Sequence, residues 1–144
     1  VPAYKFTSLG LVGDDTLDTI FSCEYTKDSD VGTYVITPTD CTFTSGVKNN
    51  YNIEYVNGTL SVYGSSYNKA SKTVKIYSNH DTDVDCYVVS YAENGTLDGI
   101  KKEHCSLKAD EISTIDISSL NIAENDSIKI FLWDNNLTPV EITN

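Results

Sequence analysis

The sequence contains no arginine, no glutamine and no methionine among its 144 residues. Its cationic side is ten lysines, set against 21 aspartates and glutamates for a net charge of −11. A nucleic-acid partner needs a cationic surface to displace counterions from phosphates, and arginine is the usual forked reader of phosphate and guanine. The balance therefore excludes nucleic acid. The acid is spread evenly, with 3 Lys and 8 Asp/Glu in residues 1–64 and 7 and 13 in residues 65–144. An even acidic coat keeps a protein soluble and marks no site.

Long apolar runs are also missing: none approaches the roughly 18 residues of a membrane span, so no membrane insertion is expected. The chain starts at Val1 without methionine, which reads as a processed or excised fragment. Histidine is scarce, with only His80 and His104. Nucleophilic catalysis needs a Ser or Cys beside a His held by a third group, and no Gly-x-Ser-x-Gly elbow surrounds any serine. Glycoside hydrolysis needs two carboxylates converging in a cleft, whereas nearly all the acids here fall in turn segments. No catalytic residue is assigned, and the chain is read as not an enzyme.

What remains is rich in Thr, Val, Ile and Tyr, a combination that favours strands. In TIFSCEYT (residues 19–26) Phe21, Cys23 and Tyr25 share one face and Ser22, Glu24 and Thr26 the other, the period of a half-buried strand. Similar runs are YKFTSL, TYVITPTDCTF, YNIEY and TLSVY, and Asn57-Gly58 between IEYV and TLSV predicts a hairpin. GDDTLDTI suggests one helical turn capped by Asp14 or Asp15. GSSYNKASK (64–72) is small and polar and reads as a linker. Beyond it TVKIYS, DVDCYVVSYA, LDGIKKEHCSL, EISTIDIS, SIKIFLWD and LTPVEIT are six strand candidates. The fold class is all-β: two small β modules over residues 1–64 and 65–144, the second a sandwich of six or seven strands.

Four cysteines allow three pairings. Local bridges would join Cys23 to Cys41 and Cys86 to Cys105, the latter only if the hairpin turn centres on Gly95-Thr96; a turn at Asn94-Gly95 sets Cys86 opposite Glu103 instead. The alternative is four reduced thiols packed as small apolar groups. Asp81, Asp83 and Asp85 alternate, so an extended segment aligns three carboxylates that would suit Ca²⁺; a solvated acidic loop is the plainer reading, and no other cofactor is expected. Ten tyrosines and one tryptophan invite sugar stacking. However, Trp133 follows IKIFL and reads as core, while Tyr63, Tyr67 and Tyr77 are placed for exposure. No ligand-binding residue is assigned.

Three separated motifs, SLGLVGDDTLD, DVGTYVIT and NNYNIEYVNGTLSV, occur in order and at family-like spacing across residues 3–63. They resemble the MBG (mostly-β, glycine-rich) repeats of bacterial surface proteins. That resemblance implies an extracellular, cell-surface repeat without enzymatic activity. The family pattern starts one strand further upstream, so the first module is expected to lack its first strand and to offer a sheet edge to a strand from another chain. CYVVSYAENGTL and SIKIFLWDNNLTPV resemble an immunoglobulin- or fibronectin-III-like accessory module of clostridial-type secreted proteins. The combined expectation is a non-catalytic structural or adhesive segment whose partners are other protein chains or cell-surface glycans. The alternative is a carbohydrate-binding accessory module of a secreted polysaccharide-degrading enzyme.

Overall fold

The computed structural model describes residues 3–142. Among them are nine β-strands: β1 (Thr16–Ser22), β2 (Gly32–Ser45), β3 (Gly58–Val62), β4 (Gly64–Asn68), β5 (Thr73–Tyr77), β6 (Thr82–Tyr91), β7 (Leu97–Leu107), β8 (Ile112–Asp116) and β9 (Ser127–Trp133). The strands make three three-stranded sheets, ordered β1-β2-β3, β4-β5-β8 and β7-β6-β9. The described chain divides into two compact units, one taking residues 3–29 and Thr33–Leu60, the other Asp30–Gly32 and residues 61–142. The all-β expectation is met.

The first unit is built on the β1-β2-β3 sheet. Antiparallel pairing runs from Thr16 opposite Ser45 to Ser22 opposite Thr37, with irregularities where β2 carries an extra residue near Asp40. Asp40 has φ 46°, the left-handed conformation that such a bulge imposes. Leu17, Phe21, Ile36, Pro38 and Phe43 face a cavity of about 530 Å³ that residues 5–11 and 51–58 line from the other side. Phe43 stacks on Tyr51 at 5.0 Å, and Phe21 meets Tyr4 and Phe6 at 5.9 and 6.1 Å. Tyr51 donates from its hydroxyl to Asp15 Oδ2 at 2.5 Å, and Tyr55 accepts from the Cys41 amide at 2.9 Å.

Four local expectations fail in this unit. YKFTSL and YNIEY are not strands, and no hairpin forms at Asn57-Gly58. The β3 strand pairs with β2 instead, and Gly58 has no positive φ. The segment before β1 closes with a turn in which the Asp15 amide donates to the Val12 carbonyl, and no helix follows it.

The second unit is a sandwich. Val74, Ile76, Val84, Cys86, Val88, Ile115 and Ile117 are buried in one core drawn from β5, β6 and β8 and the segment that follows it. Cys105 and Leu107 add to it from β7, while Tyr67, Ile128, Ile130 and Leu132 pack on from β4 and β9. Residues 64–72 are not a linker. They form β4 and its turn into β5, with Tyr67 opposite Val74 on the inner face. Small polar residues suffice there because β4 is an outer strand whose backbone needs one partner only.

The β6–β7 hairpin closes through Glu93, Asn94 and Gly95. The Gly95 amide donates to Ala92, the Ala92 amide to Thr96, and Gly95 supplies φ 81°. LTPVEIT stops short of a strand: Pro139 bridges Trp133, and the Val140 amide donates to Leu132 at 2.8 Å. On the opposite sheet Lys75 ion-pairs with Asp30 at 3.0 Å, which also accepts from Asn68, anchoring the 30–32 segment within this unit.

Candidate functional site

Strand period two gives β6 and β9 an inner and an outer face, and here the outer face is unusual. Ile128, Ile130 and Leu132 pack against the core. Lys129, Phe131 and Trp133 must then point the other way. The register sets Asp85 opposite both His104 and Trp133, Tyr87 opposite both Lys102 and Phe131, and Val89 opposite both Ile100 and Lys129. Trp133 is therefore not a core residue, as its apolar neighbours had suggested. Both alternating sets of IKIFLW are apolar apart from Lys129, so the sequence does not say which set turns inward.

The three rings form a continuous patch. Trp133 lies 5.1 Å from Tyr87 at an interplanar angle of 50°, and 6.3 Å from Phe131 at 56°. Lys102 Nζ stands 5.5 Å from the Tyr87 ring centre and Lys129 Nζ 5.3 Å from that of Tyr91, both within cation–π range. Phe131 keeps 37% of its surface exposed, while Tyr87 and Trp133 are half-buried.

A polar cluster borders the rings. Asp85 bonds Lys102 Nζ at 2.6 Å and His104 Nδ1 at 3.0 Å. Lys102, and after it His104, hold the Asp85 carboxyl below the usual carboxylate range. Asp85 in turn, with the Tyr87 hydroxyl, pushes the Lys102 ammonium above its ordinary value. The Asp85 side chain is 14% exposed, against 53% for Lys102 and 56% for His104. The carboxylate is thus a fixed hub and the two bases are its solvent-facing arms.

Asp81, Asp83 and Asp85 do not come together as a calcium site would require. Asp81 is taken by Lys108 at 2.9 Å and by the Ala109 amide at 2.9 Å, and both lower its pKa, the amide more. Asp83 lies across from Ser106, and Asp85 is held by Lys102 and His104. Among the described residues no three His, Cys, Asp or Glu side chains converge. His80 contacts its neighbour Asn79 at 2.6 Å.

The four cysteines are free thiols. Extending the β1–β2 register by one residue sets Cys23 beside Ile36, five positions from Cys41 and so roughly 15 Å away at strand rise. A disulfide needs Cα atoms within about 7 Å, so Cys41 does not find Cys23. In the second unit Cys86 faces Glu103 and Cys105 faces Val84, the register of the Asn94-Gly95 alternative. The two thiols are diagonal inner neighbours, wider apart than a directly opposed pair. Burial pushes Cys86 up to about 12 and raises Cys105 as well.

The tyrosines set at the start of the second unit are not a free row. Tyr77 is buried and stacks on Tyr63 at 4.8 Å and 11°, and the Tyr63 hydroxyl donates to Asp110 at 2.6 Å. Tyr67 packs on the core. The aromatic face on β6 and β9 was thus missed by sequence reasoning, although the alternation Phe131, Trp133 and Tyr87, Val89 carried its signal.

No curated protein and no solved structure matches the chain. Residues 1–61 match the family model of the MBG domain (YGX type), so the first part of the chain is similar to that β-rich repeat of bacterial surface proteins.

Proposed function

We propose that this chain is a non-catalytic extracellular module of a bacterial surface or secreted protein. An MBG-like spacer over residues 1–64 precedes an immunoglobulin- or fibronectin-like sandwich over 65–144, and the outer β7-β6-β9 face makes the adhesive contacts. The match of residues 1–61 to a surface-repeat family carries the reading. Support for the second module comes from strand order: its first, second and fifth strands share one sheet, and its third and sixth strands pair in the other. That is the arrangement of immunoglobulin-type sandwiches. The outer strands β1 and β3 of the first sheet are the edges at which another chain would add a strand.

Antibody against the chain tests the reading on cells of the producing bacterium. Labelling of intact cells, or recovery from the medium, is expected. Antigen found only after permeabilisation would overturn it.

A second reading, an accessory module that binds carbohydrate for a secreted polysaccharide-degrading enzyme, is favoured by one observation. Tyr87, Phe131 and Trp133 lie on the face turned away from the core.

A further inference from the structure

The geometry points to the outer β7-β6-β9 face as a binding site for a neutral glycan, with Trp133 and Phe131 as the stacking surfaces and Asp85, Lys102 and His104 as the hydrogen-bonding rim. The inference rests on the reading that this face makes the module's contacts.

The rings are not needed where they are. The core is completed by Ile128, Ile130 and Leu132 on the opposite side of the same strand. Aliphatic or polar residues would serve an ordinary solvent face, yet Phe131 holds a ring 37% exposed, in contact with the indole. An exposed, contiguous apolar patch rimmed by polar groups marks an interaction surface. Ring pairing across strands contributes some stability. It does not explain why a three-membered charged cluster is placed on the same rows.

The ligand class follows from the mixture. A pyranose has one flat face of C–H groups and an equatorial edge of hydroxyls. An aromatic plane takes the first, and side chains that both donate and accept take the second. Asp85 accepts, Lys102 donates, and His104 with Nδ1 on Asp85 has Nε2 remaining for a hydroxyl. The rim is also held before any ligand arrives, because one carboxylate fixes both bases. Less side-chain freedom is then lost on binding.

Charge decides between neutral and acidic sugars. The Asp85 charge is matched by Lys102, and Lys129 stands over the Tyr91 ring, so the face offers one lysine without a carboxylate partner and not the cluster of cations that a uronate or sulfate chain takes. The whole chain carries −11, which repels a polyanion before it reaches the face. A neutral glycan meets neither obstacle.

Trp133 is the sole tryptophan of the sequence, so its emission reports on the site directly. The test is titration of the full chain with soluble neutral hexasaccharides of glucose, xylose, mannose and N-acetylglucosamine, alongside oligogalacturonate and dextran sulfate. A saturable shift in emission with at least one neutral ligand is expected, with none from the anions. Phe131→Ala should weaken that binding about tenfold or more, the loss of one good stacking contact. Lys102→Ala should weaken it less. Retention of the variants on the immobilised glycan, with an unchanged urea midpoint, separates lost contacts from lost folding. Binding of anionic ligands only, or equal binding by Phe131→Ala, overturns the inference. So does silence across all neutral sugars in both emission and a glycan array. Surface labelling of cells is scored separately, so a blank array on a chain that does reach the surface sinks the glycan assignment alone.

Discussion

The two units solve the same problem with unequal means. In the second, two sheets enclose side chains from β5, β6, β7 and β8, and Val74, Ile76, Val84, Cys86, Val88 and Ile117 reach 0% exposure. In the first, one sheet is backed by irregular chain, and Cys41 is the only buried residue among those described. Leu9, Val12, Ile20 and Val56 remain 63–92% exposed there. A strand can bury its inner face only against a second layer, and residues 5–11 and 51–57 are a layer without strand pairing of its own. Alternating apolar residues therefore make strands in both units but a closed core in one.

That contrast can be broken by thiol chemistry, where the effect is largest. Cys86 and Cys105 should resist alkylation at pH 8 in the native chain by orders of magnitude relative to denatured protein, since only the thiolate reacts and burial suppresses it. The half-buried Cys23 should label well before them. Mass spectrometry after timed quenching reads this, and equal native labelling of Cys23 and Cys86 would remove the distinction.

Core truncation comes next. Ile76→Ala should destabilise the second unit by about 2–5 kcal/mol, through lost burial and the cavity left behind. Leu17→Ala, at a half-buried position beside an existing cavity, should cost under about 1.5 kcal/mol. Hydrogen exchange in β5 and in β2 separates the two, and equal losses would show that the first unit is as tightly packed as the second.

Backbone strain sharpens the comparison within the first unit. Gly46 has φ 93°, and a Cβ there would lie 2.3 Å from Asp15 Cγ. Gly46→Ala should therefore cost about 1–3 kcal/mol, and free the Asp15 partner of Tyr51. An unchanged exchange rate across β1 and β2 would contradict this.

The smallest expected effect is acidic. Lys75 first, with Asn68 and Ser66, holds Asp30 below its ordinary value, against the opposing effect of partial burial. A depressed carboxylate stabilises the fold above its unfolded pKa, and that gain is lost as pH falls through the folded value. Asp30→Asn should thus lower stability by under about 1 kcal/mol at pH 7, with the difference vanishing below the carboxylate range. Urea midpoints from neutral to acidic pH check the sign.

Much of this was legible locally. The period of two found β6, β7, β8 and β9 nearly to the residue, whereas the spacing left two hairpin registers open and only the pairing set Cys86 opposite Glu103. Non-local decisions were not legible. Asn57-Gly58 has the composition of a hairpin, yet β3 pairs with β2. GSSYN looks like a linker, yet Thr73–Tyr77 offers it a partner strand. Local spacing also suggested a Cys23–Cys41 bridge, whereas the β1–β2 register sets the pair far apart.

The sequence by itself determined that this protein is made of strands, that its surface is strongly acidic and that its first part is similar to the MBG domain. Those follow from composition, charge and short-range alternation, which act within a few residues. Only the tertiary structure decided which face of IKIFLW turns inward. Alternation defines two faces of a strand, but the choice between two apolar faces depends on which other strands stand across from it. Here Ile128, Ile130 and Leu132 met a core, and Phe131 and Trp133 were left beside Asp85, Tyr87 and Lys102.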